Sequence, residues 1–186
     1  MATIPWFPAW GVKFSSPIEN ISSLIADMEE WRPDERWILI SYEVAASEVH
    51  LWSAWHQVRR NEQKGTMVAR DSGAEFLRVV SGTRQIRVAI ERSGISKGDA
   101  KAWIIRLPEI DTTKGMEETS IPMEEYNHHS SEAERIIEHL GGRMITRRPF
   151  PTIGGLVKIG AITKNETLSN SKIEQAFLLH ASMSDL

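Results

Sequence analysis

Hydrophobic residues recur at helical spacing in several parts of the chain. The first such stripe runs from Ile18 to Met28 and follows the sequence Ser16-Pro17-Ile18-Glu19, which is typical of a helix start. The same periodicity, framed by capping residues and glycines, predicts further helices over residues 47–63, 71–82, 83–94, 132–140 and 172–183, and a short one that opens at the capping box of residues 163–166. In the helix that begins at Thr83, the residues Ile86, Ala89 and Ile90 are expected to face the core.

Continuous or alternating apolar runs predict the strands. Residues 37–42 form an unbroken apolar and aromatic run, which is typical of a buried central strand rather than an edge strand. Residues 101–107, 143–146 and 152–162 also have strand patterns, the last with Gly154-Gly155 at a hairpin or bulge. Because strands and helices intermix without strict alternation, the predicted class is α+β (mixed α/β), with a small mixed sheet packed against a helical layer.

The segment from residue 109 to residue 131 breaks this pattern. It contains Gly115, Pro122 and two pairs of glutamates, and it has no apolar period. We interpret it as a long acidic loop, an insertion that is mobile in the folded protein. Residues 1–186 are expected to form a single domain that ends in a C-terminal helix and tail over residues 172–186.

Composition narrows the possible functions. The chain has 186 residues, 41% of them hydrophobic, which suffices to bury a core without disulfides or metals. It contains no cysteine, so disulfides, Cys-ligated zinc, iron–sulfur clusters and thiol nucleophiles are excluded. No run approaches the ~18–20 apolar residues that cross a membrane, and the first residues lack a signal-peptide pattern. We therefore expect a cytoplasmic protein that makes no membrane contact.

Candidate catalytic and metal-binding motifs are weak. His128-His129 lacks the i, i+4 spacing that directs two imidazoles to one ion, and His50 and His56 lie on different faces of their predicted helix. The glycines of residues 94–98 do not form a phosphate-binding loop, and no nucleophile elbow is present. The sequence predicts no catalytic residue, metal or cofactor, and thus a protein that is not an enzyme.

The formal net charge of −3 is unevenly distributed along the chain. Residues 59–101 carry ten basic and five acidic side chains, a local charge of +5, and the other positions therefore sum to −8. Arg84, Arg87 and Glu91 are expected on the solvent side of their helix. They form either a patch that binds phosphates or an ordinary solvated face in which Arg87 pairs with Glu91.

The last predicted helix is apolar over more than half of its circumference. Leu178 falls among Glu174, Gln175 and Ser182, on the side that is expected to be polar. Such a wide apolar surface favours either the docking of a partner or a helix clasped on several sides by its own domain.

Several of these residues match a known family. The matching segments are His50-Leu51, Glu75-Phe76-Leu77, Ser81-Gly82-x-Arg84-Gln85-Ile86 with Ala89-Ile90 after it, and Ile173-Glu174-x-x-Phe177-Leu178-Leu179. This pattern resembles the small, Cgi-type subunits of the KEOPS complex, the PRPK-binding protein family.

The resemblance implies a non-catalytic regulatory subunit of the assembly that makes threonylcarbamoyladenosine in tRNA. In that family the subunit binds the small lobe of the complex's atypical kinase/ATPase, partly through its C-terminal helix, and archaeal-type members also bind the 3′ CCA end of tRNA. The kinase contacts expected from the resemblance and the apolar helix are Ile173, Phe177, Leu178 and Leu179. The expected RNA contacts are Arg59, Arg60, Lys64, Arg84, Gln85, Arg87 and Lys97.

Two other functions remain open at this point. One is a small nucleotide- or metal-dependent hydrolase with a pocket near His128-His129 or Gly154-Gly155. The other is a protein-only adaptor, in which the last helix binds a partner and the arginines are merely solvated.

Overall fold

The computed structural model describes residues 4–186. The described residues form seven α-helices and four β-strands, with short 3₁₀ turns at Tyr42–Val44 and Met116–Glu118. The strands are β1 (Ala9–Phe14), β2 (Trp37–Ser41), β3 (Lys101–Arg106) and β4 (Gly142–Ile145). The helices are α1 (Ile21–Trp31), α2 (Glu48–Lys64), α3 (Ser72–Ser81), α4 (Ile86–Ser93), α5 (Met123–His139), α6 (Ile153–Lys158) and α7 (Asn170–Ser182). These elements confirm the predicted α+β class.

The strands form one sheet in the order β2-β3-β1-β4. All three pairings are antiparallel, so the sheet is not the mixed sheet that was expected. Strand β2 lies at an edge, and the prediction of a central strand is wrong. Its apolar run has a different cause, because side chains on both faces of β2 are buried under helices, Trp37 on one face and Ile40 on the other.

Two hydrophobic cores lie on the two faces of the sheet. In β3, Trp103 and Ile105 enter the larger core with α2, α3, α6 and α7, whereas Ala102 and Ile104 enter the smaller core with α1 and α5. Helix α7 therefore lies on the same side of the sheet as α2 and α3. This arrangement places the last helix beside the basic segment of the sequence.

Most predicted helices are confirmed, with shifts at their ends. Helix α3 follows Asp71, whose carboxylate accepts a hydrogen bond from the N–H of Ala74 at 2.8 Å. Helix α1 begins at Ile21 rather than near Ser16, because the side chain of Asn20 caps it.

Helix α4 begins later than the prediction of a cap at Thr83. The first helical residue is Ile86, and the Thr83 hydroxyl accepts a hydrogen bond from the N–H of Gln85 at 3.2 Å in the turn before it. Arg84 consequently lies in this turn and not on the helix. Ile90, which was expected to face the core, is 51% exposed.

The acidic segment 109–131 is not a loop throughout, because α5 begins at Met123. The residues that face inward in its first turns are Tyr126, His129 and Ser130, at spacings that lead on to the buried Ala133. The sequence shows no apolar period here because these inward positions of the helix hold polar or aromatic residues. The prediction of a loop is therefore wrong for residues 123–131, which are helical.

The predicted strand at residues 152–162 is instead helix α6. The hydroxyl of Thr152 caps this helix by accepting a hydrogen bond from the N–H of Gly155 at 3.0 Å. A side chain at Gly155 would collide with the carbonyl oxygen of Glu43, so the glycine permits close packing of the helix rather than a hairpin.

The predicted capping box at residues 163–166 forms in part. The carboxylate of Glu166 accepts a hydrogen bond from the N–H of Thr163 at 3.0 Å. This contact closes a turn, and the expected short helix does not follow, since the next helix begins at Asn170. The hydrogen bond is therefore local to the loop between α6 and α7.

Candidate partner-binding surfaces

The inner face of α7 belongs to the core of the protein. Ile173 is 5% exposed and Phe177 is fully buried, among side chains of α2, α3 and α6. The helix is thus clasped on several sides by its own domain, which explains its wide apolar surface. The expectation that Ile173 and Phe177 contact a kinase is wrong for the folded chain, because neither side chain reaches the surface. Leu178 is half-buried.

The outer face of α7 carries a different apolar surface. Leu179 is 63% exposed, Met183 is 40% exposed and Leu186 is 89% exposed. Leu179 and Met183 are four positions apart at the end of the helix, and Leu186 lies just after the turn that follows, where its N–H bonds to the carbonyl of Met183. We call these three residues the α7 stripe. Of the four expected kinase contacts, Leu179 is the one that lies in it.

A buried arginine holds the tail, residues 183–186, against the fold. The guanidinium of Arg78 is fully buried, and all five of its N–H groups have an acceptor. Two of these acceptors are the carboxylate oxygens of Glu75, at 2.6 and 3.1 Å. The others are the carbonyl of Thr83 at 3.2 Å, the carbonyl of Ser184 at 2.7 Å and the carboxylate of Asp185 at 2.6 Å.

The charges in this cluster are mutually dependent. Burial opposes the ionised form of Glu75, but the hydrogen bonds from Arg78 and the N–H of Ala69 outweigh it and hold the pKa of Glu75 below its ordinary value. The pKa of Asp185 is also lowered, because hydrogen bonds from Arg78 and Gln57 outweigh the effect of burial. Both carboxylates are therefore ionised at neutral pH and balance the buried guanidinium.

A second contact packs the end of α7 against the end of α3. The imidazole Nε2 of His180 lies 2.8 Å from the carbonyl oxygen of Ser81 and 2.9 Å from that of Ile159, where it donates its proton. Gly82 faces this ring with φ of +64°, and a Cβ there would come within 2.6 Å of the His180 carbonyl oxygen. The position requires glycine for both its backbone angle and its contact.

The basic residues of segment 59–101 divide into structural and exposed groups. Arg78 is structural, as described above. Arg59 pairs with Glu62 and lies 3.6 Å from Glu109, and its guanidinium stands over the ring of Trp55. Its side chain is 14% exposed. Of the expected RNA contacts, Arg59 is thus already engaged within the protein.

Five of the expected RNA contacts lie on neighbouring exposed surfaces around the tail. Arg84 donates to the carbonyl of Asp185 at 2.8 Å, while Gln57 and Asn61 of α2 bind the Asp185 carboxylate from another side. The same helix carries Arg60 and Lys64 about one turn further on, and Gln85 and Arg87 follow Arg84. We call Arg60, Lys64, Arg84, Gln85 and Arg87 the basic cluster.

Lys97 lies apart from this cluster. It follows the C-terminal end of α4, whereas Arg84 precedes the N-terminal end, about 12 Å away at 1.5 Å per helical residue. The next residue, Gly98, bonds through its N–H to the carbonyl of Ile18, which ties this loop to the start of α1. The structure thus does not bring Lys97 to the other six expected RNA contacts.

Arg87 takes part in the ion pair that the helical spacing allows. Its Nε lies 3.3 Å from a carboxylate oxygen of Glu91, and the Arg87 side chain is 92% exposed. An exposed pair of this kind contributes ~0–1 kcal/mol. A phosphate can therefore replace Glu91 at little cost.

The histidines and glycines that suggested a hydrolase lie in ordinary helical settings. His129 is 3.5 Å from Glu125 on α5, and Gly155 packs against Glu43. Residues 4–186 contain no group of three or more His, Asp or Glu side chains placed to hold a metal ion. Within the same range no helix is long and apolar enough to span a membrane.

Comparison with known protein families gives a match. Residues 16–177, which run from before α1 to Phe177 in the middle of α7, match the family described as kinase binding protein CGI-121. The chain belongs to this family. No curated protein matches the chain.

The family match and the surface geometry complement each other. The family is described by binding a kinase and not by a reaction. Its match ends at Phe177, and the α7 stripe begins two residues later. The matched region therefore covers the scaffold that fixes the stripe, including Arg78, Ser81 and Gly82.

Sequence reasoning missed the cluster that fixes the tail. Glu75 and Arg78 have the i, i+3 spacing of an ion pair inside an otherwise apolar stretch, which is a local signal for a buried pair. Asp185 is more than one hundred positions further along the chain, and nothing near it in the sequence points to Arg78. His180 likewise contacts residues that only the fold brings close.

Proposed function

We propose that this protein is a non-catalytic regulatory subunit of the KEOPS assembly, which modifies tRNA with threonylcarbamoyladenosine. It docks on the small lobe of the kinase/ATPase subunit and helps to recruit tRNA through the 3′ CCA end. The observation that carries the proposal is the α7 stripe, an exposed apolar row on a helix end that a buried arginine holds in place. Membership in a kinase-binding family supports it.

The stripe has the features of a helix that binds in a groove. Leu179, Met183 and Leu186 are anchors at i, i+4 and i+7, the spacing with which a helix fills an apolar groove of a partner. The end of α7 is fixed before the partner arrives, through His180 and Asp185, so little conformational entropy is lost on docking. Burial of the three side chains supplies the affinity.

The basic cluster supports the RNA part of the proposal. Its arginines and lysines are exposed and can bind phosphates, and the amide of Gln85 can bind a base edge of unpaired nucleotides. Three acidic side chains beside it are already engaged: Arg78 binds Asp185, Arg59 binds Glu62, and Glu91 pairs weakly with Arg87. The cluster is therefore free to bind the single-stranded end of an RNA.

A binding experiment with two ligands tests both parts. The full chain is incubated with the kinase/ATPase subunit, with tRNA, and with the same tRNA lacking its CCA end. We expect a complex with the kinase and salt-dependent binding of the intact tRNA, which weakens when CCA is removed. Kinase binding without any tRNA binding would identify a protein-only adaptor, and the absence of kinase binding would contradict the proposal.

A further inference from the structure

A cleft of about 530 Å³ opens at the free edge of β2, away from the α7 stripe. Trp37, Ile38 and Leu39 of β2 form its floor. Helix α1 forms one wall, and helices α3 and α4 form the other. The cleft has the volume of a ligand site, and its floor is an edge strand.

The edge strand presents unpaired backbone groups to this cleft. The carbonyl of Arg36 accepts a hydrogen bond from the N–H of Leu107 at 2.8 Å, which sets residues 36, 38 and 40 as the ones bonded to β3. The alternate residue Leu39 therefore directs its N–H and carbonyl outward. Neither group has a partner among residues 4–186. The carbonyl of Trp37 accepts from Arg32 at 3.1 Å.

The walls are apolar and stand close to the strand. Ile25 of α1 is 43% exposed and Ile90 of α4 is 51% exposed, and the two face the cleft from opposite sides. Helix α3 approaches β2 so closely that a Cβ at Gly73 would lie 2.8 Å from the side chain of Ile38. The cleft thus offers an apolar wall to each face of a strand added beside β2.

The rim of the cleft is acidic. Glu29, Glu35 and Asp71 border it, and neither Glu29 nor Glu35 forms an ion pair within the described residues. The one basic residue of the rim, Arg32, binds the carbonyl of Trp37. A second copy of the chain would bring the same carboxylates together, and an RNA end would add phosphates to them, so both occupants are disfavoured.

We propose that the free edge of β2 accepts an extended, basic segment of a partner protein as an additional strand. The segment exchanges hydrogen bonds with the N–H and carbonyl of Leu39. Successive apolar side chains of the segment point to opposite faces, so that they pack in turn against Ile25 on one face and against Ile90 on the other. Lysines or arginines at its ends meet Glu29 and Glu35. This surface is distinct from the α7 stripe and from the basic cluster.

Selection from a displayed library of random 12-residue peptides on the full chain supplies the probe for this proposal. We expect enrichment of peptides in which a short run of β-branched residues, which present apolar side chains to both faces, is flanked by basic residues. An enriched peptide should bind at least tenfold more weakly to the Glu29→Lys, Glu35→Lys double variant. Binding to Glu30→Lys, a charge reversal on the same helix outside the cleft, should be unchanged.

Backbone methylation of that peptide tests strand addition. N-methyl groups on the amides that face Leu39 should abolish binding, while the same groups shifted by one residue should leave it. Selection of no peptide sensitive to the double variant would overturn the proposal. Equal effects of the two methylation patterns would also overturn it. The proposal would also be overturned if a CCA oligonucleotide or a second copy of the chain occupied the cleft. Either occupation would be seen as binding of that ligand to the parent that is lost in Ile25→Glu.

Discussion

The guanidinium of Arg78 and the carboxylate of Asp185 lie 2.6 Å apart and join α3 to the tail that follows α7. Because Glu75 shares the same buried guanidinium, two charges of α3 and one charge of the distant tail form one unit. This unit fixes the α7 stripe on one side and positions Arg84 on the other. The two proposed partner surfaces are therefore built around the same ion cluster.

Removal of the buried arginine should strongly destabilise the protein. Arg78→Met leaves Glu75 as an unpaired buried carboxylate, and we expect a loss of about 3–5 kcal/mol in the free energy of unfolding. Asp185→Asn keeps the hydrogen-bonding shape and should cost less. Urea denaturation measures both variants. The matched control is Arg87→Met on the surface, which should stay within about 0.5 kcal/mol of the parent. Equal effects of the two arginine variants would contradict the account of the cluster.

Acid should destabilise the fold through a buried histidine. Burial, with a smaller contribution from the charge of His180, lowers the pKa of His50 from 6.5 to about 4. Above pH 6.5 the ring is neutral in both states, so its contribution to stability is fully present there. Between pH 6.5 and 4 the unfolded chain binds a proton that the folded protein excludes, and stability falls by about 3 kcal/mol.

Urea denaturation as a function of pH checks this prediction. In His50→Asn the amide oxygen can still accept the hydrogen bond that Nδ1 takes from the N–H of Ala46, but no proton is bound. This variant should lose less stability than the parent between pH 6.5 and 4. The exposed His128→Asn should follow the parent. An unchanged slope in His50→Asn would show that other groups cause the acid sensitivity.

Two glycines with similar backbone angles allow the cost of backbone strain to be measured apart from the cost of a steric contact. Gly65 has φ of +67°, and a Cβ at this position would meet no atom within 4 Å, whereas Gly82 has φ of +64° and faces His180. Gly65→Ala should cost about 1–2 kcal/mol from the backbone angle alone. Gly82→Ala should cost clearly more and should increase hydrogen exchange at the end of α7. Similar losses of unfolding free energy in both variants would mean that His180 moves away from the new side chain at no cost in stability.

The basic cluster should bind tRNA through its exposed charges. Arg84→Gln with Arg87→Gln removes two phosphate contacts, and we expect weaker binding together with a slope of log K against log salt that is smaller by about 1.4 for a single-stranded end. Lys97→Gln, at the far end of α4, is the control and should change neither quantity appreciably. Gel-shift titrations at several salt concentrations measure both. An unchanged slope in the double variant would place the RNA elsewhere.

Local patterns predicted much of the fold because local physics determines it. Helix α3 follows its capping residue Asp71 and ends at Gly82, and both signals are in the sequence. The strand position of β2 could not be predicted, since burial on both faces gives an edge strand the same apolar run as a central one. Helix α6 was mistaken for a strand because Gly155 serves a contact with Glu43 that only the fold creates.

The candidate surfaces were predicted in outline and not in their residues. The apolar excess of the last helix was visible, but α2, α3 and α6 bury Phe177 and leave Leu179 outside. The basic segment was visible too, although Arg78 turned inward because Asp185, distant in the sequence, lies beside it. Which apolar or charged side chain reaches solvent depends on these long-range contacts.

The dissociation constant for the kinase/ATPase subunit tests the central claim most directly. The variant Leu179→Glu with Met183→Glu introduces charge into the α7 stripe without touching the core, and Ser171→Glu adds charge two turns away on the same helix. Calorimetric titration should show at least a hundredfold weaker binding for the double variant, with Ser171→Glu close to the parent. Parent-like affinity of the double variant would contradict docking through the α7 stripe.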